Sequence, residues 1–155
     1  YFTVPIWSLR DGLLIRSSDT SRIGGYRDLG RSDEQVAVLS GQVQAETAIR
    51  LGVSKGRLLH FDDYRDAAAA VADGKALAYA SVALAHHAHV AAHPDENLVC
   101  VTVPDAEKPG EAGAFACRDE CLRDRVDAVL SGFIGSSEHR ALLAETGVSP
   151  ASLGF

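Results

Sequence analysis

The sequence predicts an α/β fold, with a mostly parallel central sheet flanked by helices and followed by C-terminal helices. Three observations predict it. Short aliphatic or β-branched runs alternate with helical stretches of about ten residues through most of the chain. Gly52, Gly74 and Pro94 punctuate the ends of those stretches. Apolar residues make up 46% of the 155 residues, enough for a core of single-domain size.

The elements follow in order. Residues 2–8, with Pro5 in the middle, read as an extended edge segment or a loop. Residues 12–16 read as a buried strand, and residues 26–30 as a short helical turn or loop. Residues 35–39 form the next strand, and residues 42–51 a helix stopped by Gly52. Residues 57–61 form a further strand. Asp62 or Asp63 can cap the helix that runs through Ala72, on which Tyr64, Ala67, Ala68 and Val71 share a face. Gly74 ends that helix. Residues 76–80 form a short strand, and residues 82–92 a helix that stops before Pro94. Residues 97–103 form a strand rich in β-branched side chains. Residues 105–113 read as a polar loop and residues 114–117 as a short strand. A long helix is expected over 119–133, with Leu122, Val126, Val129, Leu130 and Phe133 on its apolar stripe. Ser136 or Ser137 caps a last helix through Ala144, closed by Gly147.

Charge narrows the partners. The formal net charge is −6, and three Lys and twelve Arg are scattered along the chain. A nucleic-acid backbone or an anionic lipid surface needs clustered positive charge, so neither is expected. No apolar run is long enough to span a bilayer. Cys100, Cys117 and Cys121 are an odd count at loose spacing, which is no disulfide framework. Cys117 and Cys121 could bridge only if the chain turns sharply at Cys117. Cys100, between Val99 and Val101, reads as core rather than as a reactive thiol.

The most informative local feature is the strand–turn–helix junction at Ser40-Gly41-Gln42-Val43-Gln44. Ligands of parallel sheets sit outside the carboxyl ends of the strands. The first amides of a helix are unpaired and suit a carboxylate, sulfate or phosphate. The plainer reading is that Ser40 caps its own helix. The spacing matches neither a phosphate loop nor a dinucleotide fingerprint. His86, His89 and His93 would share one helix face, with Leu84, Ala88 and Ala91 turned to the core. Three imidazoles can hold zinc or nickel adventitiously. No Asp or Glu completes the set locally, so a solvated face is expected and no metal. No cofactor is expected, and no nucleophile elbow is present. Asp62 and Asp63 are adjacent and suit capping better than acid/base work. Trp7 can stack on a ligand, plug a hinge or cover a sheet edge.

Several segments, taken in order, resemble a known family. They are Phe2-Thr3-Val4-Pro5-Ile6-Trp7, Leu13-Leu14-Ile15-Arg16, Tyr26-Arg27-Asp28-Leu29, Val36-Ala37-Val38-Leu39-Ser40-Gly41, Phe61-Asp62-Asp63-Tyr64 and Gly74-Lys75-Ala76. Together they resemble the extracytoplasmic solute-binding proteins of amino-acid-type ABC importers, the type 2 periplasmic binding proteins. Within that group the chain is most similar to binders of ectoine and related compatible solutes.

The resemblance implies a hinge or crossover segment over 1–12, a periplasmic-binding-protein-like α/β lobe over 13–110, and a return crossover with C-terminal helices over 111–155. Most of the first lobe would precede Tyr1. It implies a small polar or zwitterionic solute, an ABC permease as partner of the full-length protein, and a periplasmic or extracellular location, soluble or lipid-anchored. A second copy covering the surface left by the first lobe would give a homodimer. In the family a glycine-threonine-threonine turn holds the ligand carboxylate. Here Gly41 is kept while Gln42 and Val43 replace the threonines, so the amide part of the site survives and the hydroxyl part is lost. The family aspartate that pairs with a ligand ammonium falls at Val82, and a second, structural one at Leu77. A buried ammonium without a carboxylate is costly. A delocalised or shielded cation suits the site better, with Trp7 as its face and Ser81 as a polar contact. Two alternatives remain at this point: a ligand-sensing module of a receptor or kinase, and a dehydratase-like enzyme. The enzyme would need an acid/base pair, and the sequence offers no convincing one.

Overall fold

The computed structural model describes residues 1–145. The expected closing role of Gly147 lies outside the described residues. The chain divides into two compact units: residues 10–109, and residues 1–9 together with 110 onward.

In the first unit, five strands form one sheet: β2 (Asp11–Arg16), β3 (Val36–Leu39), β4 (Leu58–Phe61), β5 (Ala78–Val82) and β6 (Leu98–Thr102), in the order β4-β3-β5-β2-β6. β3 is parallel to β4 and β5, whereas β2 is antiparallel to both β5 and β6. Four of the five strands therefore point one way and β2 runs against them.

The period-two pattern divides the core between the two faces. Leu13, Ile15, Val36 and Val38 pack on one face with Tyr26, Leu29 and Ala48, from the helices α1 (Tyr26–Arg31) and α2 (Val43–Arg50). Leu14, Ala37 and Tyr79 pack on the other with Ala67, Ala68 and Val71 of α3 (Tyr64–Ala72). Asp63, one of the two expected caps, accepts a 2.7 Å hydrogen bond from the Arg65 amide.

The helix α4 (Ala83–Ala92) presents a different face from the one its sequence suggested. Ala88 and Ala91 are exposed, whereas His86 is fully buried. The His86 ring packs against Tyr64 and Tyr79, and its Nδ1 lies 2.7 Å from the Tyr64 hydroxyl. Aromatic neighbours with a hydroxyl make a histidine an acceptable core residue there, which hydropathy does not reveal. The three-histidine solvent stripe is thus corrected: His86 leaves it.

The second unit holds a two-stranded antiparallel sheet of β1 (Trp7–Leu9) and β7 (Glu111–Gly113). The short strand expected over 114–117 falls instead on residues read as loop. Chain 113–117 does run extended beside residues 1–6, through Ile6 N–H to Gly113 O and Cys117 N–H to Tyr1 O. Its ladder is interrupted because Pro5 has no amide to donate and the Thr3 hydroxyl accepts the Phe115 amide. Only an isolated Phe2–Ala116 bridge remains. The helix α5 (Glu120–Phe133) is capped by Asp119, which accepts from the Leu122 amide at 2.8 Å. Leu130 of its apolar stripe is buried, while Leu122 and Val129 are exposed. The last described helix is α6 (Ser137–Glu145). Its His139 receives the Gly135 amide at Nδ1 and bonds the Ile6 carbonyl through Nε2, which fixes Nε2 as the protonated nitrogen. All three cysteines are free thiols. Among the described residues no helix is long and apolar enough to cross a membrane.

Candidate functional site

β3 and β5 are neighbours, yet their helices leave to opposite faces of the sheet. α2 covers the face of Val36 and Val38, and α4 the face of Tyr79. Diverging connections of this kind leave a crevice outside the carboxyl ends of the strands, the usual ligand position in open α/β sheets. The β3–β5 register pairs Val36 with Ala78 and Ala37 with Tyr79, below that edge.

The Ser40–Gln44 junction sits on this edge. Gly41 has φ +76°, and a Cβ added there would meet nothing within 4 Å, so its requirement is backbone conformation rather than room. Ser40, Gly41 and Gln42 are exposed, and Val43 is 51% exposed. The Ser40 amide bonds the Phe61 carbonyl of β4 at 2.8 Å, and the Gln42 amide bonds the Leu39 carbonyl at 3.3 Å. The cap residue of α2 is Gln42, not Ser40, and no side chain caps the helix. First-turn amides without a side-chain cap are donors that a ligand anion can use. Glu46 in the same turn draws on the same positive helix end.

Gln44 behaves differently from its neighbours. Its side chain is buried, and Nε2 donates to Asp11 Oδ1 at 3.1 Å. Asp11 opens β2 at 4% exposure, and its Oδ2 accepts from the Tyr26 hydroxyl at 2.8 Å. Lys108 Nζ, also buried, stands 3.5 Å from Asp11 Oδ1. A buried carboxylate thus meets one cation and two donors, which offsets its desolvation. The quartet ties the start of β2, the start of α1, the first turn of α2 and the loop after β6 together behind the Gly41 turn. Sequence reasoning missed Asp11, Tyr26 and Lys108 as a group. The available signal was a charged residue just before the apolar run Leu13–Ile15.

Ser81 and Val82 lie at the carboxyl end of β5, on the same edge. Ser81 is buried, Val82 partly so, and Asp11 is registered opposite Val82 on β2. Trp7 belongs to the other unit, where its ring lies over Gly113 and meets Phe115 edge-on at 6.4 Å between centroids. A Cβ at residue 113 would collide with that ring. Burial pushes the Cys100 thiol up to about 12, so it stays protonated at neutral pH, although the residue is partly exposed rather than in the core. Burial lowers His86 to about 3, with smaller contributions from His89 and His87, so its imidazole is neutral.

No protein-family model matches the chain. Over 158 aligned residues it is 27% identical to a probable amino-acid ABC transporter periplasmic-binding protein of Sinorhizobium fredii, covering 98% of this chain and 52% of that protein. The chain thus spans about half the length of this curated relative. Among solved structures it is similar to the GluR0 ligand binding core in complex with L-glutamate, with a TM-score of 0.75 at 18% identity, over 99% of this chain and 63% of that one. It is similar to EhuB in complex with hydroxyectoine, with a TM-score of 0.75 at 20% identity, over 96% of this chain and 58% of that one. The fold is therefore the periplasmic-binding-protein-like α/β architecture: a sheet with four of five strands codirectional, flanking helices, and helices at the C-terminal end.

Proposed function

We propose that the chain is the ligand-binding lobe of a solute-binding protein that captures a small polar or zwitterionic solute for ABC-type import, without catalysis. One observation carries this reading. The Gly41 turn is exposed at the carboxyl end of β3, and no side chain caps the helix that follows it. The solute carboxylate would rest on the amides of Gly41, Val43 and Gln44, since that of Gln42 already bonds Leu39, with the Ser40 and Gln42 side chains at its rim and Ser81 and Val82 on the adjoining strand end. Val82 offers no charge, and the nearby Asp11 carboxylate already faces Lys108. That arrangement supports a solute whose positive charge is delocalised or shielded, such as an ectoine-like compound, over a simple α-amino acid.

A second reading is that the same lobe serves a ligand-sensing module. The pocket chemistry is common to both. An adjacent permease gene supports transport, and a downstream signalling domain supports sensing.

Titration of isotope-labelled protein with ectoine, followed by amide NMR shifts, tests the site. Millimolar ligand is appropriate, because a single lobe contributes only half of the contacts that a closed two-lobe protein makes. Shifts concentrated at Gly41–Gln44 are expected. An unmoved turn, with shifts elsewhere or none, removes the assignment.

A further inference from the structure

The C-terminal end of α4 gathers a second set of chemistry-bearing side chains. His89 and His93 are one helical turn apart, and their rings stack with centroids 4.4 Å apart. Pro94 then turns the chain through a 3-10 segment (Pro94–Glu96), which ends at Asn97 in the left-handed conformation, φ 54°. This reversal brings Glu96 back over the helix end, with Oε2 at 2.8 Å from His89 Nε2. The acidic residue that the helix itself lacks is therefore supplied by the turn after it. One ligand atom from each of His89, His93 and Glu96 falls within 4.8 Å of the others.

We propose that His89, His93 and Glu96 form a binding site for a single divalent transition-metal ion of the zinc class. Two imidazole nitrogens and a carboxylate oxygen are a borderline donor set, suited to zinc, nickel or copper rather than to magnesium or calcium. Ligands about 2.1 Å from one zinc stand about 3.4 Å apart, so closing the triad takes about an ångström of movement.

The hydrogen bonds already orient the ligands. His93 Nδ1 lies 3.0 Å from the His89 carbonyl oxygen. That oxygen can only accept, so Nδ1 carries the proton and Nε2 presents its lone pair, as in metal-bound histidines anchored through their second nitrogen. At His89 the ion would take the place of the proton between Nε2 and Glu96. That proton leaves to solvent or moves to Nδ1. The negative end of the α4 dipole also favours a cation here.

The three residues line a groove of about 290 Å³, whose other wall carries Arg65 and Asp73, charges of opposite sign. His93 and Glu96 are exposed, so an ion could reach them from solvent. At 1.5 Å per residue, His93 lies about 16 Å from Val82 along the direction of α4, away from the strand ends. The metal would therefore clip α4 to the start of β6 rather than contact the solute, and the inference stands independently of the proposed function.

The test is calorimetric titration of the tag-free, chelator-treated chain with zinc chloride, alongside the variants His93→Ala, Glu96→Gln and His87→Ala. One zinc per chain is expected, with affinity at least tenfold weaker in His93→Ala and in Glu96→Gln and unchanged in His87→Ala. Circular dichroism in chelator checks that each variant is folded. Cobalt(II) supplies a second readout, because its visible absorption reports nitrogen ligation and should fade in His93→Ala. Absence of saturable binding, or binding that the His93 and Glu96 variants leave intact, overturns the site.

Discussion

Lys108→Met isolates the buried charge behind the Gly41 turn. Methionine keeps an unbranched stem of similar length and removes only the ammonium. Asp11 then remains at 4% exposure with the Tyr26 hydroxyl and the Gln44 amide as its hydrogen-bond donors. Breaking a buried pair by removing one partner destabilises by about 3–5 kcal/mol, because the remaining charge is uncompensated. Asp11→Asn removes the carboxylate that faces the Lys108 ammonium and should also destabilise. The double variant removes both charges, so its loss should be smaller than the sum of the two single losses by about 2–3 kcal/mol. Urea denaturation of the four proteins gives this coupling directly. If the single losses add to within about 0.5 kcal/mol, the two charges do not interact and the quartet is not a unit. The structure also predicts a local consequence. Gln44 bridges Asp11 to the first turn of α2, so Asp11→Asn should shift the amide resonances of Gly41–Gln44 even in a folded sample.

Two further outcomes follow from packing in the same unit. His86 is held near 3, below the ordinary 6.5, so the fold keeps it neutral while the unfolded chain protonates below 6.5. Its contribution is present above 6.5 and is lost as pH falls toward 3. At about 1.36 kcal/mol per pH unit, acidification from pH 7 to near pH 4.5 should destabilise the wild type by about 2.5 kcal/mol more than His86→Gln; equal losses in urea melts at the two pH values would reject this. Gly12→Ala places a Cβ 2.6 Å from the Ala83 backbone, where α4 crosses β2. It should destabilise by about 1–3 kcal/mol in thermal melts, and an unchanged midpoint would mean that α4 yields freely.

What the sequence made legible was whatever rests on local pattern. The strands around Leu13–Ile15, Val36–Val38 and Val99–Val101 follow from aliphatic runs between turn residues, and the Asp63 and Asp119 caps from a short polar side chain before a helix. The Gly41 junction was legible for the same reason, since a turn residue between a strand and a helix is a local signal. Strand direction was not, because β2 runs against its neighbours through connections made far along the chain. The interrupted ladder at residues 113–117 was hidden too. It depends on Pro5 and Thr3, more than a hundred residues away in sequence.

Polar residues inside the fold were the hardest to read. Asp11, Lys108 and His86 carry hydrophilic side chains, and sequence periodicity assigns such residues to solvent. Each meets a partner from another element: Tyr26 and Gln44 for Asp11, Asp11 for Lys108, and Tyr64 for Nδ1 of His86. Those partners lie between 15 and 97 residues away, so no window of local pattern contains both halves of a pair. The division also separates the roles within the candidate site. The part that would touch a ligand, the Gly41 turn, is written locally in backbone conformation. The part that holds that turn in place, the Asp11 quartet, is assembled only by the fold. An alteration of either could weaken binding, but only loss of the quartet should also lower stability by several kcal/mol.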